Sequence, residues 1–401
     1  MVQFSNFKSI TYAREHFKNG KINFLLATCF ALWAIFIGCN KDYDNGGRGI
    51  ITMTTSKAGN VTFFLAGSGT FTIDWGDGSA IITDTLIVYD DFYWNNFYYR
   101  LKYMHSYDYS STSSRTITLT GEKITHISCR NNQLTSLDIS KNIGIIWFEC
   151  GENQLSSLDV SRNTALIDLR CGKNQLTSLD VRKNIALTHL SCSDNQLINL
   201  DVRENTELTH LDCYMNQLID LDVSKNIALK YMCCAYNQLK SLDVSTNTAL
   251  TQLEFYNNKI INLDLSKNSE LLHLSCSDNQ LASLDISRST KLWSISCNGN
   301  ELTSLDVSNN IWLIALFVND NKLDNNALNS LFRTLNDNSF GISKSIYIGD
   351  NPGTDNCDRS IATDKGWDVN NTPDWLNINA SLQRAVWRNG GSNSAESDVR
   401  T

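Results

Sequence analysis

Residues 187–207 read LTHLSCSDNQLINLDVRENTE, and residues 208–228 read LTHLDCYMNQLIDLDVSKNIA, nearly the same sentence 21 residues later. The register extends well beyond this pair. Asn132, Asn153, Asn174, Asn195, Asn216, Asn237, Asn258, Asn279, Asn300 and Asn321 align at a spacing of 21 without an insertion or deletion. A fixed period of this length marks a solenoid, in which each coil buries its apolar face only by stacking on its neighbours. A 21-residue coil that must return to its starting place has no room for a full helix after two short extended segments and two turns. A strand is therefore expected on one side and a strand or extended turn on the other, giving a mainly β chain. Strict alternation sets the directions: Leu190 and Cys192 point inward and Ser191 outward, while Asp201 points outward from the second segment.

The unit L-x-x-L-x-C-x-x-N-Q-L-x-x-L-D-V-S-x-N resembles the leucine-rich repeat signature in its first eleven positions, with Cys where Leu is usual. Its second half repeats the rhythm with a further Asn, similar to short repeats that carry two asparagines. The resemblance implies that the repeated Asn is a ladder residue, its amide satisfying turn backbone groups that strand pairing leaves unpaired.

Eight cysteines, Cys129, Cys150, Cys171, Cys192, Cys213, Cys234, Cys276 and Cys297, share one inward column with Phe255 and Val318. Apolar residues in the same column argue for packing. Coils about 4.8 Å apart hold parallel side chains at that spacing, whereas a disulfide wants its Cβ atoms about 3.8 Å apart. A straight column without inward histidine lacks the convergent ligands of a zinc site. Buried free thiols are the expectation, neighbouring disulfides and a metal the alternatives. Cys233 is expected to face outward as the reactive exception.

Asp138, Asp159, Asp180, Asp201, Asp222, Asp243, Asp264, Asp285 and Asp306 form an outward column one coil apart. Neighbouring carboxylates about 5 Å apart repel by roughly 0.8 kcal/mol even in water. Serine hydroxyls of adjacent coils, and Lys or Arg three residues on, are the expected compensation; calcium is the alternative. A catalytic carboxylate pair is not expected, because every member has the same surroundings.

Function should lie where the coils differ. The third position of the strand reads His126, Trp147, Asp168, His189, His210, Tyr231, Gln252, His273, Ser294 and Ala315, and Tyr214, Met215, Tyr236 and Tyr256 lie just past the cysteine. Trp147, His189, His210, Tyr214, Tyr231, Tyr236 and Tyr256 are the expected partner-binding residues, since aromatic patches rimmed by charge mark interfaces. Unperturbed histidines would make binding change between about pH 7.5 and 5.5. A stabilising aromatic ladder or a His189/His210 metal site are the competing readings.

Before the repeats, GNVTFFLAG, GTFTIDWGDGSAI and SSRTITLTG alternate as strands within a small β-sandwich expected over 50–121. The stretches IDWGDGS (73–79) and HSYDYSSTSSRTITLTG (105–121) resemble the PKD-type immunoglobulin-like domain, with Asp74 and Asp77 in turn-stabilising roles. Between them YDDFYWNNFYYRLKY (89–103) is unusually aromatic, and Trp94 and Tyr98 are the alternative, glycan-stacking contacts. After the solenoid (122–322) an α/β cap is expected over 323–372, with NNALNSLFRTLND (325–337) at helical spacing. A polar, mobile tail would follow over 373–401.

The first 38 residues carry Lys8, Arg14, Lys18 and Lys21 ahead of an uncharged run, Ile22 to Gly38, short for a membrane span. FIGC resembles a bacterial lipobox, implying cleavage before Cys39 and lipidation of its thiol, with 39–49 as tether. Together these parts resemble Bacteroidota leucine-rich repeat surface lipoproteins with internalin-like repeats. The resemblance implies an exported chain, lipid-anchored at the outer membrane or cell surface, probing protein or glycan as a monomer. A formal charge of −8 with 34 Lys and Arg against 42 Asp and Glu argues against nucleic acid. No cofactor or metal is expected. The sequence holds no G-x-S-x-G, H-E-x-x-H or phosphate-binding glycine loop, so an enzyme is not expected.

Overall fold

The computed structural model describes residues 49–88, 104–337 and 343–372. The expected signal, most of the tether with Cys39, the segment holding Trp94 and Tyr98, and the tail lie outside the described residues. From Gly49 onward the chain forms one compact unit.

Strands three residues long recur once per coil: β7 (Trp147–Glu149), β8 (Asp168–Arg170), β9 (His189–Ser191), β10 (His210–Asp212), β11 (Tyr231–Cys233), β12 (Gln252–Glu254), β13 (His273–Ser275), β14 (Ser294–Ser296) and β15 (Ala315–Phe317). Each pairs in parallel and in register with the next, so His189 lies beside His210 and His210 beside Tyr231. The far side of these coils is extended turn without strand. The inward columns are as the alternation requires: Leu190 is 1% exposed and Cys192 0%, and Phe255 and Val318 fill the same column fully buried. All eight column cysteines are buried and free. Burial pushes the Cys171 and Cys234 thiols up to about 12, so they stay protonated and unreactive.

Two asparagine ladders tie coil to coil. In the first, Asn195 Nδ2 donates to the carbonyls of Cys171 and Cys192, each at 3.1 Å, and Asn195 Oδ1 accepts from the Leu176 amide at 3.0 Å. In the second, Asn205 Nδ2 donates to Val181 and Asn184 carbonyls at 3.0 and 2.8 Å, and Asn205 Oδ1 has no hydrogen-bond partner among the described residues. These contacts spare each turn the cost of an unpaired buried amide.

The aspartate column feels Lys or Arg three residues on, as expected (Lys141 at Asp138, Lys225 at Asp222, Lys267 at Asp264, Arg288 at Asp285), but its serine donors come from its own coil and not from an adjacent one. Asp222 Oδ1 accepts from the Ser224 amide of its own coil at 2.9 Å, and Asp201 is gripped by Arg203 at 2.9 Å through both carboxylate oxygens. The partner stands two residues on in the same coil, because an Asx turn brings that N–H back to the carboxylate. Hydrogen bonds from the arginines hold the Asp180 and Asp201 carboxyls down to about 2.

No boundary falls between residues 121 and 122. β5 (Arg115–Ser128) is a single strand that begins among the N-terminal strands and ends as the strand of the first coil, paired with β7. β1 (Gly49–Thr55) lies antiparallel between β5 and β6 (Leu134–Asp138), the second segment of that coil. The long β2 (Gly59–Asp74) pairs with β5 on one side and with β3 (Ile82–Thr85) and β4 (Met104–Tyr109) on the other. In place of a free-standing spacer these strands cover both edges of coil one, whose apolar faces would otherwise be open. Their core stacks Trp75 between Phe63 and Tyr107, with ring centroids at 5.7 and 5.1 Å. The W-G-D-G turn needs its glycine: Gly76 has φ +74, and a Cβ there would lie 2.2 Å from the Thr116 carbonyl. Asp74 and Asp77 accept from the Gly76 and Ser79 amides and so serve as turn acceptors.

At the other end the helix α1 (Asn325–Thr334) is capped by Asp324, which accepts from the Ala327 amide at 2.8 Å, and buries Leu328, Leu331 and Phe332. The ladder continues past it. Asn351 Nδ2 donates to the Val318 and Ile348 carbonyls at 2.8 Å and its Oδ1 accepts from Leu323, so a further coil forms with the helix inserted. β16 (Lys344–Tyr347) and β17 (Trp367–Asn370), with the one-turn helix α2 (Ser360–Thr363) between them, prolong the parallel sheet. The solenoid thus runs beyond residue 322.

Candidate functional site

The strand face carries two outward columns, one at each end of the three-residue strands. In the first, His189 and His210 stack at 4.3 Å with planes 12° apart, and Tyr231 continues the row at 6.1 Å. The hydroxyls of Thr188 and Thr209, one residue before each histidine, stand 2.8 and 2.9 Å from Nδ1. Stacked parallel rings lie side by side instead of converging on a common point, which is poor geometry for a metal. Trp147 stacks toward His126 at 6.5 Å and takes Phe64 edge-on at 6.1 Å. Arg170, held by Asp168 at 2.9 Å, reaches over the same indole at 5.9 Å. Trp147 therefore belongs to the N-terminal end of the face and is partly buried, apart from the tyrosine cluster.

The histidines depart from the unperturbed titration expected of them. Burial, with the neighbouring charge of His189 second, lowers His210 to about 4; burial alone lowers His273 to about 4; His189 is lowered as well. His210 and His273 are therefore neutral at pH 5.5, so His210 does not supply the expected pH response between 7.5 and 5.5, and burial moves His189 in the same direction.

The second column holds Ser191, Asp212, Cys233 and Glu254 on successive strands. Asp212 accepts from the Ser191 hydroxyl at 3.0 Å and from the Tyr214 amide at 3.1 Å. Cys233 points outward as alternation demands, yet it is only 4% exposed, and burial holds its thiol well above the ordinary value. The expected reactive exception is thus covered, with Tyr231, Glu254 and Asp212 among the groups beside it. Burial, then the charge of Asp212, raises the Glu254 carboxyl to about 7, and no cation is among the groups acting on it.

Beyond the strands three tyrosines meet. Tyr214 and Tyr256 stand two coils apart, about 9.6 Å along the stack, yet their ring centroids are 6.3 Å apart. They lean together over Ala235, the small residue of the intervening coil, which is fully buried. Tyr236 crosses both, at 5.4 Å from Tyr214 and 5.5 Å from Tyr256, with planes turned by 75° and 83°. The residue two past the cysteine column is left-handed in every coil: Asn131, Asp194, Asn257, Asp278, Gly299 and Asp320 suit that turn, while Glu152, Lys173, Met215 and Tyr236 are bulkier than it prefers. Glu152 and Lys173 pair with each other at 3.2 Å. Met215 and Tyr236, 48% and 44% exposed, are the two uncharged large side chains at this position. Sequence reading selected these residues by position, but missed Glu254 as more than a flank. The acidic neighbour one coil and a cysteine away was the available signal.

Among the described residues no group of three or more His, Cys, Asp or Glu side chains is placed to hold a metal, and no helix is long and apolar enough to cross a membrane. No protein-family model matches the chain, and no curated protein does. Among solved structures, the functional domain of internalin InlJ from Listeria monocytogenes, described as including a cysteine ladder, is 29% identical over 61% of this chain and 68% of its own, with a TM-score of 0.47. The internalin InlF of the same species is 18% identical over 57% and 74%, with a TM-score of 0.47. A leucine-rich repeat protein of Leptospira interrogans is 18% identical over 65% and 81%, with a TM-score of 0.41. By its repeat length, its asparagine ladders and its in-register parallel strands, the chain is a mainly β leucine-rich repeat solenoid.

Proposed function

We propose that the chain is a recognition protein that binds a protein partner through the strand face of its solenoid, with Tyr214, Tyr231, Tyr236 and Tyr256 at the centre and His189 and His210 beside them. The observation that carries this reading is the crossing of Tyr214, Tyr236 and Tyr256 beyond the strands, with Tyr236 and the neighbouring Met215 44% and 48% exposed. An exposed cluster of large apolar side chains favours a contact. Interfaces are rich in Tyr and Met, and truncating a central ring typically costs 2 kcal/mol or more. The reading extends to an exported chain anchored through Cys39 at a bacterial outer membrane or cell surface, acting by adhesion and without catalysis. FIGC and the run before it support that extension.

The test is capture of surface-extract proteins by the immobilised chain, comparing wild type with Tyr214→Ala/Tyr236→Asn and with Ile227→Ser, an exposed residue away from the strands. Loss of the captured protein in the first variant alone supports the reading. Retention in both, with the tyrosine variant folded, refutes it, and would direct attention to Trp94 and Tyr98.

A further inference from the structure

The tyrosine cluster and the acidic column adjoin, and together they describe the chemistry of what docks there. This inference rests on the recognition role proposed above and names one group the partner contributes. Asp212 and Glu254 flank buried Cys233 on alternate strands; the Tyr214 amide donates to Asp212 at 3.1 Å and the Tyr214 ring feels that carboxyl, while Tyr256 feels Glu254. The groups beside Glu254 are Asp212 from β10, Tyr231 and Cys233 from β11 and Tyr256 from its own coil, and Ser275 is its register partner on β13. Lys230 acts on His210 at the other end of the strands and is not among the groups acting on Glu254. The basin is therefore lined by carboxylates and by the faces and edges of three mutually crossed rings. Ring faces attract cations, and weakly hydrated planar cations most readily stack on them while bonding carboxylates.

We propose that this basin receives an arginine side chain of the protein partner, its guanidinium stacked on Tyr236 between Tyr214 and Tyr256 and its charge met by Asp212 and Glu254. A metal fits less well, since the two carboxylates sit two strands apart with a protonated thiol between them and no third ligand converging. An aliphatic side chain would leave Glu254 as isolated as before. The guanidinium supplies what Glu254 lacks, and docking it draws the carboxyl to its ionised form, so that binding is stronger above pH 7 than below it.

The experiment uses the full chain and N-acetyl-arginine amide as probe, with N-acetyl-citrulline amide as its neutral isostere, read by saturation-transfer NMR and by tyrosine fluorescence. The expected result is saturable binding of the arginine amide, at least about fivefold stronger than that of the citrulline amide, and stronger at pH 8 than at pH 6. Tyr236→Asn should remove the signal while keeping or raising the melting temperature, because Asn131 and Asn257 hold the equivalent left-handed position. Glu254→Gln should weaken binding and abolish its pH dependence. Equal response to the two amides, or binding untouched by both substitutions in folded protein, overturns the inference. Protein capture that needs Tyr214 and Tyr236 but is not competed by arginine amide overturns it too, while leaving the recognition role standing.

Discussion

The two asparagine ladders look alike in sequence and should not be alike in energy. Replacing Asn195 with Ala removes four hydrogen bonds, but most of the groups left behind keep another partner. The Cys171 carbonyl still accepts from Asn174 Nδ2, the Cys192 carbonyl from Asn216 Nδ2, and the Ser193 carbonyl from the Lys173 amide. The Leu176 amide does not, since Asn195 Oδ1 is its acceptor in a fully buried turn. One orphaned buried donor costs about 1–3 kcal/mol. Replacing Asn205 with Ala orphans nothing: the Val181 carbonyl keeps the Asn184 amide, the Asn184 carbonyl keeps the Leu187 amide, and Asn205 Oδ1 had no protein partner to lose. The small void left by Asn→Ala is common to both and cancels. Asn195→Ala should therefore exceed Asn205→Ala by about 1–3 kcal/mol. The solenoid itself supports the ranking, because the second ladder admits Ser289, whose hydroxyl donates to the Asn268 carbonyl at 3.0 Å, while the first is Asn in every coil. Urea denaturation of the reduced protein measures the difference, provided the m-value is unchanged. Hydrogen exchange of a peptide containing the Leu176 amide reads the same event locally. An Asn205→Ala variant as unstable as Asn195→Ala would refute the bookkeeping of orphaned groups.

Cys192→Val should be tolerated, because Val318 already fills that column, and Cys192→Ser should be the less stable of the two, because it puts a polar hydroxyl into an apolar column; thermal melts of the pair decide it. Thiol titration of the folded chain should find the column cysteines and Cys233 unreactive, and denaturation should expose them; a fast-reacting Cys233 would contradict its burial. His210 and His273 titrate near 4 when folded and near 6.5 when unfolded, so stability should fall as pH drops through that window, the unfolded chain taking up protons the folded one refuses. Glu254 acts in the opposite sense: its folded carboxyl titrates at about 7, so its contribution is present in acid and lost as pH rises from about 4.3 toward 7, a slope that Glu254→Gln should remove.

What was legible in the sequence was whatever the period repeats. Ten coils in register fix which side chains point inward, and the buried cysteines, leucines and asparagines follow from alternation alone. The ends were less legible because they do not repeat. A strict period of 21 stops at Asn321, since the helix α1 stretches the next step to Asn351 and hides a coil that keeps the same ladder bonds. At the other end turn motifs suggested a separate sandwich, whereas β5 runs unbroken through the expected boundary, and only the pairing of β1 with both β5 and β6 shows why.

Direction and exposure are different properties, and the candidate site turns on the difference. Alternation correctly aims Cys233, Glu254 and His210 outward, but how much water each meets depends on the size of neighbours one and two coils away, which no single repeat contains. Cys233 is only 4% exposed although it points outward, with Tyr231 and Glu254 beside it. His210 loses its ordinary titration to burial beside His189, and Tyr214 and Tyr256 come together because Ala235 between them is small. A column that in a uniform solenoid would be an open ladder thus holds a buried thiol and, in Glu254, a carboxyl raised by burial. Large outward residues fall on three consecutive turns of the middle coils, Tyr214, Tyr236 and Tyr256. At β13 and β14 the corresponding strand column holds Ser275 and Ser296, small residues that bring no such crowding.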